Sequence, residues 1–528
     1  MKGRKKVAKA YLVGSGIGGL SAAAFLIREG GFQGADIHIL EEESRKGGSL
    51  DAAGSPEAGY TMRGGRMFEL QFRCTYDLLG TIPSLDDPKK SVTQDTFEFH
   101  EDFSWNDQAR LVDANGKISE SHSMGFSERD RLELVKCAAT PEALLDGKRI
   151  TDCFSPHFFT TPFWYMWCTT FAFEPWHSAI EFRRYLNRFI HLFPSFDTMS
   201  GIYRTRYNQH DSIVKPLLAW LSERGVNFHL GTRVTDLAFK DGPGHTVTRI
   251  FVTRDGKPDG IEVDPKDLVI VTNGSMTANS TLGSSTTAPA LDTSGTAGSW
   301  RLWETLAAKR DGFGNPAAFT QAIPDSKWTS FTVTTKDPSF FQLMEKFSGS
   351  PAGKGGLITF TASNWLLTIA LNHQPHYRGQ PADTFVWWGY GLFPDKVGNY
   401  VPKKMAECSG HEILRELLHH LPFGDQRESI VQSSIVIPCQ MPYITSQFLV
   451  RTRKDRPEVI PTGSTNFAFI GQFAEVPDDV VFTVEYSVRT AWVAVAGLLG
   501  LKRQPPPVYK GQFDPRVLAH ALETMHRK

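Results

Sequence analysis

The stretch Ala10-Tyr11-Leu12-Val13-Gly14-Ser15-Gly16-Ile17-Gly18-Gly19-Leu20-Ser21-Ala22-Ala23 reads as a short apolar strand, a glycine turn and the opening of a helix. In a nucleotide-binding βαβ unit Gly14 permits the tight turn, Gly16 lets the backbone approach a pyrophosphate, and Gly19 lets helix and strand pack closely. The helix N-terminus then offers free amides to the phosphates. A glycine string of this kind is weak evidence by itself, so its surroundings decide. Asp36-Ile37-His38-Ile39-Leu40 supplies a second strand ending at Glu41, where a carboxylate can accept hydrogen bonds from ribose hydroxyls.

Around this nucleus lie 528 residues, enough for roughly two to four domains, interleaved or consecutive. A hydrophobic content of 41%, a charged content of 22% and zero formal net charge describe a soluble globular chain without the basic footprint of a nucleic-acid binder. The 37 Phe and 12 Trp suit either an apolar ligand tunnel or a large aromatic core. The basic start Lys2-Gly3-Arg4-Lys5-Lys6 runs straight into the first strand, so its cleavage as a targeting segment would destroy the nucleotide site. No apolar run approaches the roughly 20 residues that span a bilayer, the best lying near residues 491–501. The expected location is the cytoplasm. Six cysteines (Cys74, Cys137, Cys153, Cys168, Cys408, Cys439) without a C-x-x-C pair argue for reduced thiols rather than a disulfide framework or zinc site.

Further strands recur far along the chain. Val226-Asn227-Phe228-His229-Leu230 followed by Thr232-Arg233-Val234 reads as a strand pair, Asp267-Leu268-Val269-Ile270-Val271-Thr272 as an apolar strand ending at Asn273-Gly274-Ser275, and Phe467-Ala468-Phe469-Ile470-Gly471-Gln472 as a buried strand ending in glycine. A helix is predicted over residues 483–499. A late strand ending in glycine and feeding a helix is how two-part flavin proteins return to hold the ribityl and pyrophosphate groups, which favours FAD over NAD. The expected fold is therefore α/β: a Rossmann-like two-part FAD-binding domain (residues 1–80, 205–299 and 446–504), an interleaved α+β substrate domain (residues 81–204 and 300–445) and a small helical C-terminal segment (residues 505–528). The Ser, Thr, Gly and Ala-rich residues 273–299 are expected to form a long surface loop or lid.

Arg63-Gly64-Gly65-Arg66 places two cations around a glycine pair, so backbone can pass close to a planar ligand; Lys46-Gly47-Gly48-Ser49 offers a second flexible contact. A helix is predicted over residues 177–193, with Phe182, Tyr185, Phe189 and Phe193 on one apolar stripe and Arg184 and Arg188 on another face. Periodicity makes Tyr185 a core tyrosine whose hydroxyl finds one partner. His373, His376, His419 and His420 match no strong metal-ligand spacing, so no metal is expected.

Several longer strings together resemble the fatty-acid (oleate) hydratases, also called myosin-cross-reactive antigens. They are residues 11–23, residues 37–51 with Glu41-Glu42 and Gly47-Gly48-Ser49-Leu50-Asp51, Arg63-Gly64-Gly65-Arg66, Phe171-Ala172-Phe173-Glu174-Pro175-Trp176-His177-Ser178-Ala179, Arg183-Arg184-Tyr185, Tyr207-Asn208-Gln209-His210-Asp211-Ser212, Thr272-Asn273-Gly274-Ser275-Met276-Thr277, Gln374-Pro375-His376 and Phe469-Ile470-Gly471-Gln472-Phe473-Ala474-Glu475. The resemblance implies an FAD-dependent lyase that adds water across the cis-9 double bond of oleic acid, giving 10-hydroxyoctadecanoic acid with no net redox change, the reduced flavin serving best. Hydration needs a proton donor at one alkene carbon and water at the other.

On this resemblance Tyr185 falls on the family's catalytic tyrosine and becomes the proton donor instead of a core residue. Cofactor contacts are expected at Gly14, Ser15, Gly16, Gly18, Gly19, Glu41, Glu42, Gly48, Ser49, Arg63, Gly65, Arg66, Val234, Asn273, Gly274, Ser275, Gly471, Gln472, Thr483 and Ser487. One departure matters: many members carry Glu directly after Arg-Gly-Gly-Arg, assigned to water activation, whereas Met67 stands here and a thioether accepts no proton at neutral pH. Backbone carbonyls, another side chain or the flavin are the alternatives for positioning water. The family's carboxylate-binding threonine, asparagine and histidine correspond to Ala370, Asn372 and His376, so two of the three are kept. A flavin oxidoreductase on an apolar substrate and a non-catalytic fatty-acid or flavin-binding protein are the competing readings. The partner expected is an unsaturated fatty acid, with the protein a monomer or homodimer and residues 515–528 a packed helix or a contact to a membrane surface.

Overall fold

The structure, a computed structural model, describes residues 8–527; the basic residues 2–6 and Lys528 lie outside the described residues. Five parallel strands form the central sheet in the order Phe467–Ile470, Leu268–Thr272, Ala10–Val13, Ile37–Leu40, Asn227–His229. The inner strands are continuous apolar runs, as a sheet covered on both faces requires. Helix Ile17–Arg28 follows the first strand and packs so closely that a Cβ on Gly19 would lie 2.1 Å from the Gly14 carbonyl oxygen. Its Phe25 stacks on Trp492 of helix Val484–Leu499, with ring centres 4.8 Å apart. Thr483 caps that late helix by accepting a hydrogen bond from the Tyr486 amide.

The expected strand pair around residue 230 is not a pair. Asn227–His229 forms the edge of the parallel sheet, while Thr232–Phe239 opens a separate antiparallel sheet with Val247–Arg254 and Lys257–Glu262. Gly231, at φ 64°, turns the chain from one sheet to the other.

An eight-stranded sheet carries the second half of the molecule, in the order Thr281–Leu282, Ser434–Met441, Trp328–Thr335, Phe385–Gly391, Leu367–Ala370, Leu357–Phe360, Leu111–Val112, Ile118–Ser119. Helix Pro162–Phe171 is tied to it where Thr359 Oγ1 donates to Thr169 Oγ1 at 2.9 Å. The Ser and Thr-rich residues 273–299 are anchored at both ends of their course: Thr281–Leu282 pairs with Ser434–Met441, and the Gly298 amide donates to Glu42 at 2.9 Å. The helix predicted over residues 177–193 divides into Ala179–Arg188 and a 3-10 turn Ile190–Ser195 that accommodates Pro194. The chain closes with helix Pro515–Met525. No helix among the described residues is long and apolar enough to cross a membrane.

Helix Ala179–Arg188 is held by buried charge. Glu181 accepts from Arg451 at 2.6 Å and lies 3.0 Å from Arg456, while Arg184 bonds Glu142 at 2.8 Å and Glu475 at 2.7 Å. One turn on, Arg188 reaches Glu69 at 2.8 Å. Burial alone would raise the Glu181 pKa, but Arg451, Arg456 and Arg184 reverse the sign and hold it at about 2 against an ordinary 4.5. A depressed folded-state pKa gives stabilisation that is complete above about pH 4.5 and is lost as pH falls toward 2. Glu181→Gln is expected to destabilise the protein by about 3–5 kcal/mol near neutral pH, because it strands two buried guanidinium groups. Urea titrations at pH 7 and pH 3 check this: the gap between wild type and variant should shrink at the lower pH.

Candidate active site

The sequence-predicted cofactor residues converge on a cavity of about 560 Å³ at the carboxyl ends of the parallel strands, where the strand order reverses. Gly14, Gly16, Gly18, Glu41, Glu42, Gly48, Ser49, Arg63, Val234, Gly274, Ser275, Gly471, Gln472 and Ser487 border it. Gly48 has φ 56°, and a Cβ there would lie 3.0 Å from the Gly16 Cα, so the two loops touch backbone to backbone. Helix Ile17–Arg28 begins at Gly16 with no side-chain cap and no acidic residue in its first turn. Its amides therefore remain available to an anion. The cradle fits the pyrophosphate of a dinucleotide.

Other predicted contacts serve the frame of this cavity. Ser15 donates to Glu41 from its amide and its hydroxyl, both at 2.7 Å, and the Glu43 amide reaches the other Glu41 oxygen at 2.9 Å. Glu41 thus ties the glycine loop to the second strand. Gly19 packs against Gly14, Asn273 Nδ2 donates to the Phe473 carbonyl at 3.1 Å, and Thr483 caps its helix; with Ser15, none of these borders the cavity. Glu42 lies 3.3 Å from Arg233, and burial raises its pKa.

Arg63 faces this first cavity and is paired with Asp51 at 3.2 Å, whereas Gly65, Arg66 and Met67 face a second one of about 80 Å³. A single turn thus runs between the two. Ala370, Asn372 and His376 line the same second space, with Trp105, Trp388, Tyr390 and Phe482 among the aromatic walls. Arg66 is buried, its guanidinium 5.3 Å from the Phe482 ring centre, and it makes no ion pair among the described residues. Burial pulls its pKa to about 10, so it stays positive at neutral pH. Burial likewise pulls His376 down to about 3, leaving a neutral imidazole.

Among the described residues no carboxylate borders the second cavity. Glu69, two residues beyond Met67, is consumed by Arg188, by His191 at 3.2 Å and by the Gln71 amide at 2.6 Å. Tyr185 is buried behind the wall rather than in it. Its hydroxyl donates to the Val481 carbonyl at 2.5 Å, and its ring sits among Phe171, Phe173, Phe189 and Phe448. Ala172 and Phe482, which border this cavity, both adopt left-handed backbone, φ 62° and 70°, Ala172 as the residue that ends helix Pro162–Phe171. Such conformations cost of order 1–3 kcal/mol for residues with side chains and concentrate at functional sites.

Sequence reading missed Arg204, Trp388 and Phe482, which border the second cavity from three distant segments. The one available signal was the place of Arg204 just before the string Tyr207 to Ser212. His419 and His420 lie elsewhere, with His420 3.4 Å from Glu416. No group of three or more His, Cys, Asp or Glu side chains among the described residues is arranged to hold a metal ion.

Residues 7–496 match the profile of the MCRA family. The chain belongs to the MCRA family. Like this chain, the oleate hydratase of Streptococcus pyogenes serotype M49 (strain NZ131) spans nearly the whole sequence, at 41% identity over 530 residues, covering 98% of this chain and 90% of that one. The linoleate hydratase of Lactiplantibacillus plantarum is 34% identical over 567 residues, covering 98% of each. Among solved structures, an oxidoreductase from Methanosarcina mazei superposes with TM-score 0.56 at 13% identity, over 93% of this chain and 100% of that one. Cyclohexylamine oxidase from Brevibacterium oxydans IH-35A gives 0.54 at 13%, over 94% and 99%. These likenesses show the fold, the Rossmann-type α/β architecture expected from the sequence.

In this MCRA-family chain, burial first and then the negative charges of Glu181 and Asp479 push the Tyr185 phenol well above its ordinary pKa of 10. Ultraviolet titration of wild type against Tyr185→Phe should therefore show no phenolate assignable to residue 185 through pH 10. A phenolate appearing near pH 8 would contradict this placement.

Proposed function

We propose that this chain is an FAD-containing hydro-lyase that adds water to the cis-9 double bond of oleic acid and related unsaturated fatty acids, yielding 10-hydroxy acids with no net redox change. The observation that carries the reading is full-length similarity to an oleate and a linoleate hydratase in a chain whose glycine loops and Arg63 border a dinucleotide-sized cavity. Gly14, Gly16, Gly48 and the amides of helix Ile17–Arg28 would hold the cofactor's pyrophosphate, with Arg63 and Gln472 bordering the same cavity. When bound, the flavin supplies an electron-rich ring that stabilises positive charge, most strongly when reduced.

The protein's own groups then do the following. Asn372 and His376 hold the substrate carboxylate, and the acyl chain extends toward Arg66 and Phe482. At about 80 Å³ the second cavity is far below the roughly 300–1,000 Å³ of ligand pockets, so Phe482 and Trp388 swing aside to admit the chain. Tyr185, kept protonated by burial, leaves the Val481 carbonyl and donates its proton to one alkene carbon. With Met67 in place of a carboxylate, proton transfer leads and neutral water captures the cation. The proton that this water releases restores the phenol.

The six thiols are unpaired, which supports a reducing compartment and a cytoplasmic location. Helix Pro515–Met525 exposes Leu518 and Leu522 four residues apart, which supports shallow contact of a monomer or homodimer with a lipid surface. Met67 is the one feature that favours the alternative, a fatty-acid-binding protein without turnover.

The test is mass spectrometry of products from the FAD-loaded protein given oleate anaerobically, with and without a flavin reductant. Formation of 10-hydroxyoctadecanoate is expected, and Tyr185→Phe should lower kcat by about 100-fold or more with FAD still bound. Full turnover by that variant would remove Tyr185 from the mechanism. Bleaching of the flavin by oleate would instead mark an oxidoreductase.

A further inference from the structure

Most interior arginines of this protein are paired: Arg188 with Glu69, Arg451 and Arg456 with Glu181, Arg489 with Asp479. Arg204, half-buried at the wall of the second cavity, is different. Its guanidinium lies over the Trp105 ring at 4.4 Å and its Nη2 donates to the Phe103 carbonyl at 3.0 Å. No carboxylate pairs with it among the described residues, and burial alone pulls its pKa to about 9. A partly desolvated cation without a counter-ion is costly, so this arrangement favours an anion.

Neighbouring polar atoms make the same demand. Arg204 Nε, Asn372 Nδ2, His373 Nδ1 and His376 Nε2 are all buried without a hydrogen-bond partner, and all four residues border the one cavity. Burial first, and then the positive charge of Arg204, lowers the pKa of His373; burial also lowers that of His376, where the charge of Asp211 opposes that of Arg204. The other unpaired cation on this cavity, Arg66, is the one whose charge interacts with Tyr185. Ala370 offers no hydroxyl at the position where the resemblance implies a threonine, so neutral donors alone leave the anchoring end weak.

We propose that Arg204 is the charge partner of the substrate carboxylate, completing the end formed by Asn372 and His376 and selecting the ionised fatty acid over its esters and alcohols. The inference rests on the fatty-acid reading of the second cavity. An ionised head group accepts from the guanidinium and the amide while its acyl chain leaves toward Trp388 and Phe482. An ester or alcohol keeps the apolar contacts but leaves the cation unneutralised.

Calorimetric binding of oleate and of methyl oleate to the FAD-loaded wild type, Arg204→Met and Arg204→Lys tests this. The Met variant should bind oleate about 30-fold or more weakly, and the Lys variant should recover part of that loss. Methyl oleate binding should change by less than about threefold in either variant. In turnover, KM for oleate should rise while kcat stays within about threefold. Equal loss of acid and ester binding would show that Arg204 only supports the wall, and unchanged oleate binding by Arg204→Met would overturn the proposal alone. Failure of the wild type to bind oleate would overturn the fatty-acid reading and this inference with it.

Discussion

The placement of the helix that carries Tyr185 depends on the buried ion network around Glu181. Its carboxylate is fully enclosed between Arg451 and Arg456, and Glu475 joins them through Arg184 and lies 3.6 Å from Arg451. Three remote parts of the chain meet there: the helix bearing Tyr185, the segment after the eight-stranded sheet, and the turn that follows the last parallel strand. A network of this kind adds little to stability compared with an apolar core, and its value lies in register. Sliding the helix by one residue would strand several charges at once. The Tyr185 hydroxyl is thereby fixed with respect to Val481 and, through residues 471–475, to the floor of the cofactor cavity.

That fixed frame separates two spaces with opposite characters. The first is large, ringed by glycine backbone, free amides and paired charges, and suits a phosphate-bearing group. The second is small, walled by aromatic rings, and carries Arg66 and Arg204 with no carboxylate on its lining among the described residues. The turn Arg63-Gly64-Gly65-Arg66 runs between them, one arginine toward each cavity. Left-handed Ala172 and Phe482 border the second space.

Local signals were readable from sequence and distant ones were not. The glycine loop and the acid after the second strand are decided within about thirty residues, and they appear where strand, turn and helix chemistry require. Periodicity placed Tyr185 in a core, which is correct for its ring; only the resemblance pointed to its hydroxyl. The strand pair near residue 230 was misread because alternation cannot say which sheet a strand joins, and Gly231 reverses the choice. Glu41 is occupied by Ser15 and Glu43, an outcome set by tertiary packing. Arg204 was invisible because its isolation depends on Phe103, Trp105, Asn372 and His376, more than a hundred residues apart along the chain at the extremes.

The central claim is that one acyl chain bridges an electropositive anchor and a buried phenol past Phe482. A crystal structure of the FAD-loaded protein with oleate bound tests it most directly. The carboxylate is expected between Asn372, His376 and Arg204, with Phe482 displaced and the double bond beside the Tyr185 hydroxyl. An acyl chain lying in the opposite direction, or bound with Phe482 in place and the double bond away from Tyr185, would contradict it.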